Sequence, residues 1–158
     1  MFIAYLNNEH AYKQKFKDGY YYSGDVAFKD GEGYYWFAGR KDDVINTAGH
    51  LVGPFEVESA LLEVEEIKEA AVIGAPDEIL FEKIVAFIKL KPDYVYNKEL
   101  ELKIRVYVAN EVSTIAVPQD IVAVESIPKT KSGKIMRRVL KAQYLGQDAG
   151  DLSTMEEF

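Results

Sequence analysis

A chain of 158 residues with net charge −7 and no cysteine holds one domain, or one domain and part of another. Its acidic balance argues against nucleic acid as a partner, which needs a basic footprint, and the lack of thiols removes disulfide frameworks and thiolate metal sites. No apolar run approaches the ~20 residues of a membrane helix, the opening Met1-Phe2-Ile3-Ala4-Tyr5-Leu6 lacks the basic flank of a secretory signal, and two histidines are too few for a histidine-rich metal centre, so a cytoplasmic protein with no membrane contact and no metal of its own is expected.

In chain order, residues 9–17 predict a short helix with Tyr12 and Phe16 on one face, stopped by Asp18-Gly19. Val26 to Lys29, the turn Asp30-Gly31-Glu32-Gly33 and Tyr34 to Phe37 form a β-hairpin signal rich in aromatics that need something to pack against. Beyond Gly53 the pattern changes. Pro54 suits a first helical turn, and Val57, Ala60, Leu61 and Val64 recur at helical spacing. Lys68 to Ala75, closed by Pro76-Asp77, and Ile84 to Leu90 read as apolar strands, the second central in a sheet. Asn97 is an N-cap candidate before a helix with Leu100, Ile104, Tyr107 and Val108 on one face. Its polar face offers the i,i+4 pairs Glu99/Lys103 and Glu101/Arg105. Ile121 to Val124 predicts a third strand, and Lys134 to Leu145 a basic helix with Ile135, Val139 and Ala142 on one side. The expected fold class is α+β: a small α/β sandwich of about three core strands flanked by helices, preceded by a β-hairpin. The tail from Gln147 is acidic and expected to be mobile.

Three places carry candidate chemistry. The loop Pro128-Lys129-Thr130-Lys131-Ser132-Gly133-Lys134 resembles the end of a phosphate-binding loop, yet its first glycine is missing and Ile135 stands where Ser or Thr would hold magnesium. What remains is a lysine on a glycine-bearing loop, suited to reaching a phosphate or carboxylate oxygen. The competing local readings are a solvated basic face, with Lys129, Lys131, Arg137, Arg138 and Lys141 nearby, and a nucleic-acid patch, which lacks interleaved aromatics. Asp25, after Ser23-Gly24, is either an ordinary turn residue or a carboxylate placed for a ribose diol. Arg40, beside Asp42 and Asp43, is either a surface ion pair or part of the same site.

Taken in order, Tyr22-Ser23-Gly24-Asp25, Gly39-Arg40-Lys41-Asp42-Asp43-Val44-Ile45-Asn46 through Gly49, and Pro128 to Lys134 resemble three signatures of the AMP-forming acyl-CoA synthetases, within the adenylate-forming superfamily. The resemblance runs over essentially the whole chain. Gly53-Pro54-Phe55-Glu56-Val57-Glu58-Ser59-Ala60-Leu61 and Gly150-Asp151-Leu152-Ser153-Thr154 point to the acetyl- and medium-chain branch.

The resemblance implies that Asp25 binds the ribose hydroxyls of ATP or AMP and that Arg40 helps place the same nucleotide. It implies that Lys134 bridges the substrate carboxylate and the α-phosphate as acyl-adenylate forms. Asp42 would be the hinge between the two half-reactions, and Gly49 would lie on the loop that admits pantetheine. ATP or AMP and CoA are the implied co-substrates, with magnesium arriving only through ATP, and a small carboxylic acid is the implied substrate. Residues 1–41 would be the end of a larger N-terminal adenylation domain, 42–146 the mobile C-terminal domain and 147–158 the tail. The rest of that N-terminal domain, with its phosphate loop and acyl pocket, would be the required partner. Without it the expected object is a C-terminal fragment, inactive alone. The alternatives are a non-catalytic module that binds CoA or nucleotide, and a homodimer formed through the N-terminal hairpin. Two places depart from the family pattern. Leu51 stands where acetate-using relatives generally carry arginine, and Leu80-Phe81 where many carry Arg-Gly.

Overall fold

The computed structural model describes residues 4–156, so Met1, Phe2 and Ile3 of the opening stretch and the last two residues of the tail lie outside the described range. The chain divides into two compact units, one ending at Asp42 and the other beginning at Asp43.

The first unit contains α1 (Glu9–Lys15), β1 (Phe16–Lys17), β2 (Tyr20–Tyr21), β3 (Asp25–Lys29) and β4 (Tyr35–Arg40). The helix ends earlier than the expected residue 17, because Phe16 and Lys17 pair antiparallel with Tyr21 and Tyr20. Asp18 and Gly19 both take positive φ, 51° and 80°, as a two-residue hairpin turn requires. Asp-Gly is therefore a hairpin turn rather than a helix stop. The expected hairpin of β3 and β4 is present, in the register Asp25↔Arg40 to Lys29↔Tyr35, with a bulge between Val26 and Ala27. Its turn is organised by Asp30, whose Oδ1 accepts the Tyr34 N–H at 2.9 Å and whose Oδ2 accepts the Trp36 indole N–H at 2.6 Å. These bonds, the indole's foremost, hold the Asp30 carboxyl below its usual range. Phe28, Tyr34, Tyr35, Trp36 and Phe37 are all exposed.

The second unit is built on a mixed sheet of β5 (Ile45–Thr47), β6 (His50–Val52), β7 (Ile67–Asp77), β8 (Phe81–Leu90) and β9 (Asp120–Ala123), with α2 (Pro54–Glu63), α3 (Lys98–Glu111) and α4 (Arg137–Leu145) around it. Its order is β6-β5-β8-β7, with β9 running parallel to β8. Among the described residues this sheet has five strands rather than about three. The additions, β5 and β6, are three residues each, too short to show a periodicity. As expected, β8 is central, with β7 along one edge and β5 and β9 on the other. Pro76 lies inside β7 instead of closing it, paired with Glu82, which an edge strand tolerates.

Both faces of the sheet are covered. Ala70 and Val72 of β7 and Ile84, Ala86 and Ile88 of β8 pack with Val57 and Leu61 of α2 and with Leu100, Ile104 and Val108 of α3. The alternate residues Ala71, Ile73, Ala75, Val85 and Phe87 pack with Ile127 and Leu140, the latter on α4. Burial on both sides is why these strands read as continuous apolar runs. Asn97 caps α3 as expected, its side chain accepting the Leu100 N–H at 2.9 Å. Of the two expected ion pairs on that helix, Glu101 and Arg105 meet at 2.8 Å, whereas Lys103 turns to Glu66 at 2.7 Å.

Candidate functional site

The basic helix begins at Arg137, three residues later than expected, so Lys134 is not helical. It closes a small hairpin instead, in which Lys129 bridges antiparallel to Ile135. The Thr130 N–H donates to the Lys134 carbonyl at 2.8 Å, and the Gly133 N–H to the Thr130 carbonyl at 2.8 Å. The Thr130 hydroxyl in turn accepts the Lys134 N–H at 3.1 Å. Gly133 has φ +81° with open space where a Cβ would stand, so glycine is required by conformation alone. Three groups of Thr130 and one glycine thus fix the backbone that presents Lys134.

The neighbouring cations divide into two kinds. Lys129 bonds Glu69, Lys141 bonds Glu82 at 3.2 Å, Arg138 donates to the Asp151 carbonyl, and Arg137 grips both oxygens of Glu58 at 2.7 Å. The hydrogen bond from Lys129 leads in holding the Glu69 carboxyl below its usual range. Lys131 and Lys134 are exposed, and neither ammonium has a hydrogen bond or ion pair with a described residue. Most of the basic cluster is therefore engaged in holding the fold, and the charges on Lys131 and Lys134 are left without a partner among the described residues.

In the first unit the structure brings Asp25 and Arg40 together as direct cross-strand partners. Arg40 Nη1 lies 3.1 Å from Asp25 Oδ1 and donates to the Ser23 carbonyl at 3.0 Å. Asp42 lies at 3.9 Å from Arg40 Nη2, with its side chain 82% exposed. Gly24 allows this arrangement, since at φ +84° an added Cβ would stand 3.2 Å from Arg40 Nη2. Asp25 and Asp42 also line an open cleft of about 670 Å³ with Lys15, Lys17 and Lys41. The carboxylate and guanidinium are partly exposed, so both retain hydrogen-bonding capacity toward a polar ligand.

Gly49 sits in the two-residue turn between β5 and β6, where Thr47 pairs with His50. Ala48 and Gly49 both take positive φ, 49° and 82°, which suits the strand twist of a two-residue hairpin. Nothing lies within 4 Å of an added Cβ at Gly49, so the turn projects bare into solvent. No hydrogen bond or ion pair joins it to Lys134 among the described residues. The departures flank this turn. Leu51 is 72% exposed, and Phe81, 69% exposed, has φ 68°. A bulky side chain is strained on that left-handed backbone.

The profile of the AMP-binding enzyme C-terminal domain matches residues 56–134. The chain belongs to this family. It is 51% identical over 152 residues to acetyl-coenzyme A synthetase of Bacillus subtilis, covering 96% of this chain and 27% of that protein. It is 47% identical to 4-hydroxybutyrate–CoA ligase 1 of Metallosphaera sedula, over 89% of this chain and 25% of the relative. Among solved structures, an anthranilate CoA ligase in complex with anthranoyl-AMP superposes with TM-score 0.78 at 36% identity, over 91% of this chain and 28% of that one. The chain thus spans about a quarter of the length of the relatives it matches and corresponds to the C-terminal part of an acyl-CoA synthetase.

Within this AMP-binding enzyme C-terminal domain, sequence reasoning missed one buried network. Glu58 is 6% exposed. It accepts the Val72 N–H at 2.8 Å and both bonds from Arg137, which also donates to the Val72 carbonyl at 3.2 Å and approaches Asp43 at 3.6 Å. Burial pushes the Glu58 carboxyl up, and the Arg137 charge only partly offsets that. One local signal existed: Pro54, Val57, Glu58 and Leu61 are the buried stripe of α2 at i, i+3, i+4 and i+7, and one of them is acidic. Asp43, the first residue of its unit, is thereby tied to α4 and α2.

Proposed function

We propose that residues 42–146 work as the mobile C-terminal domain of an AMP-forming acyl-CoA synthetase and residues 1–41 as the end of its N-terminal adenylation domain, the rest of which is joined to this chain or supplied separately. In the first half-reaction a carboxylate oxygen of a small carboxylic acid attacks the α-phosphate of ATP, forming acyl-AMP and releasing pyrophosphate. Lys134 supplies positive charge between the two anionic groups. In the second, the CoA thiol attacks the acyl carbon and AMP leaves. Asp25 receives the ribose hydroxyls and Arg40 positions the nucleotide beside it. Asp42 is the hinge, and Gly49 lies on the turn that admits pantetheine. ATP and CoA are co-substrates, and magnesium enters with ATP.

The observation that carries this reading is the unpaired, exposed ammonium of Lys134 on a hairpin held by Thr130 and Gly133, in a cluster whose other cations are mostly engaged. Support also comes from the unit boundary after Asp42 and from the Asp25–Arg40 pair. The exposed aromatics of the β3–β4 hairpin suit docking onto the N-terminal part. Their use by a second copy is the competing reading, and light scattering of the chain alone distinguishes the two.

The test is carboxylate-dependent ATP–pyrophosphate exchange, run on this chain mixed with the N-terminal adenylation domain of the Bacillus subtilis relative. Lys134→Ala lowers exchange by about 10²–10³-fold, the cost of removing one preorganised charge-stabilising group, and spares thioester formation from supplied acyl-AMP. Equal loss of both half-reactions refutes the assigned role.

A further inference from the structure

The acidic tail does not extend away from the body. After α4 the chain turns at Gly146, whose φ is 65°, and the Gln147 N–H returns to the Ala142 carbonyl at 2.8 Å. Two local aspartate turns follow, Asp148 accepting the Gly150 N–H at 2.9 Å and Asp151 accepting the Ser153 N–H at 2.9 Å. Arg138 of α4 holds the Asp151 carbonyl. Met155 then bridges antiparallel to Thr130. Around that bridge the Glu156 N–H donates to the Lys129 carbonyl at 2.9 Å, and the Lys131 N–H to the Thr154 carbonyl at 3.1 Å. Thr130 is also the residue whose N–H, carbonyl and hydroxyl close the hairpin on Lys134 and Gly133. The tail therefore pairs with the outer edge of the same short strand whose inner edge shapes the lysine loop.

We propose that residues 152–156 act as a third strand that braces the Lys134 hairpin, making Met155 and Glu156 positioning residues for the lysine-dependent half-reaction. A two-stranded ribbon of this size has little stability of its own in water. Strand addition satisfies one donor and one acceptor on its edge, and the aspartate turns and the Arg138 contact bring the tail to it in a bent, pre-shaped form. The function of the brace follows from geometry. Among the described residues Lys134 makes no side-chain hydrogen bond or ion pair, so the position of its ammonium depends on its backbone, and a displacement of about 1 Å in a catalytic group costs up to ~10²-fold in rate. The proposal rests on the assigned role of Lys134, but the brace itself can be measured without it.

Three variants separate the brace from its charge. Deletion of residues 149–158 removes the strand and keeps the α4 cap. Glu156→Pro removes the N–H given to Lys129 together with the carboxylate. Glu156→Gln keeps that N–H and removes the charge. Amide hydrogen exchange in this chain alone is the first readout. In wild type and Glu156→Gln the Lys131 and Gly133 amides are protected; in the deletion and Glu156→Pro they exchange at least tenfold faster, with β8 and α3 unchanged. Equal exchange at Lys131 in all four proteins overturns the brace. The second readout uses the mixture with the Bacillus subtilis N-terminal domain. The deletion and Glu156→Pro lower the rate of ATP–pyrophosphate exchange about tenfold and leave thioester formation from acyl-AMP unchanged. Unchanged adenylation, or a loss shared by Glu156→Gln, overturns the positioning role. If Lys134→Ala retains full adenylation, it is the functional reading that fails, and a rate loss in the deletion then refutes positioning of Lys134 as its cause.

Discussion

Arg137→Met removes the only cation among the described residues that faces Glu58 at hydrogen-bond distance. The methionine side chain fills similar space, so the lost interactions dominate. Glu58 would keep its bond from the Val72 N–H and lose both 2.7 Å bonds from the guanidinium, while the Val72 carbonyl loses a donor and Asp43 a neighbouring charge. A carboxylate 6% exposed and left unpaired costs about 3–5 kcal/mol, a large fraction of an ordinary domain's stability. The effect depends on pH in a defined direction. Burial raises the folded carboxyl of Glu58 above its ordinary value, so the unfolded carboxyl ionises first as pH rises and stability falls through that window. Without Arg137 the folded value rises further and the window widens upward. The destabilisation is therefore greatest near pH 7 and shrinks, toward the roughly 1–3 kcal/mol of the lost hydrogen bonds, as pH falls to about 4.5. Glu58→Gln alone keeps an acceptor for Val72 and costs about 1–2 kcal/mol. On that background Arg137→Met adds only about 1 kcal/mol, since no buried charge is orphaned. Urea denaturation followed by far-ultraviolet circular dichroism is the assay, because three of the four helices among the described residues lie in the second unit while Trp36, the single tryptophan, lies in the first. A loss below 1 kcal/mol at pH 7, the same loss on both backgrounds, or no pH dependence would each refute the argument.

Three further outcomes are expected. In Gly49→Leu the added Cβ meets nothing within 4 Å, but an L side chain at φ +82° costs about 1–2 kcal/mol; in the reconstituted mixture the variant blocks thioester formation and spares ATP–pyrophosphate exchange, and loss of exchange instead would remove the turn from the pantetheine path. Phe81→Gly relieves a left-handed backbone at an exposed position and raises stability by about 0.5–1 kcal/mol, read as a higher urea midpoint. Glu69, bonded by Lys129, and Asp120, bonded by Lys83 and Tyr144, have carboxyls held below their ordinary range. The stability they contribute is complete above the ordinary carboxylate values near pH 4 and is lost as pH falls through the lower folded ones. The urea midpoint therefore drops between pH 5 and pH 2.5, and Lys129→Met flattens that drop.

The elements that could be read from the sequence are those whose signal is local. The β7 and β8 strands announced themselves as apolar runs because both faces of the sheet are covered. The Asn97 cap and the stripe of Leu100, Ile104 and Val108 were legible because capping and helical spacing act within a few residues. Where local patterns had two readings, the choice fell wrongly. Asp18-Gly19 ends a helix or turns a hairpin, and the pairing of Phe16 with Tyr21 decided for the hairpin. Lys134 to Leu145 carries a continuous helical pattern, yet its first residues are drawn into the bridge with Lys129.

From the sequence alone came the family resemblance, the α/β character, and the residues Asp25, Arg40, Asp42, Gly49 and Lys134 as candidates, because motifs, periodicity and caps are written in short stretches. Only tertiary structure decided that Asp25 and Arg40 are cross-strand partners and that most of the basic cluster is already paired. The same is true of the Glu58–Arg137 bond, 79 positions apart, and of the tail's pairing with the lysine hairpin. Each of these joins residues that no local pattern connects, and a buried ion pair or an added strand exists only once the chain has brought distant groups out of water and into register.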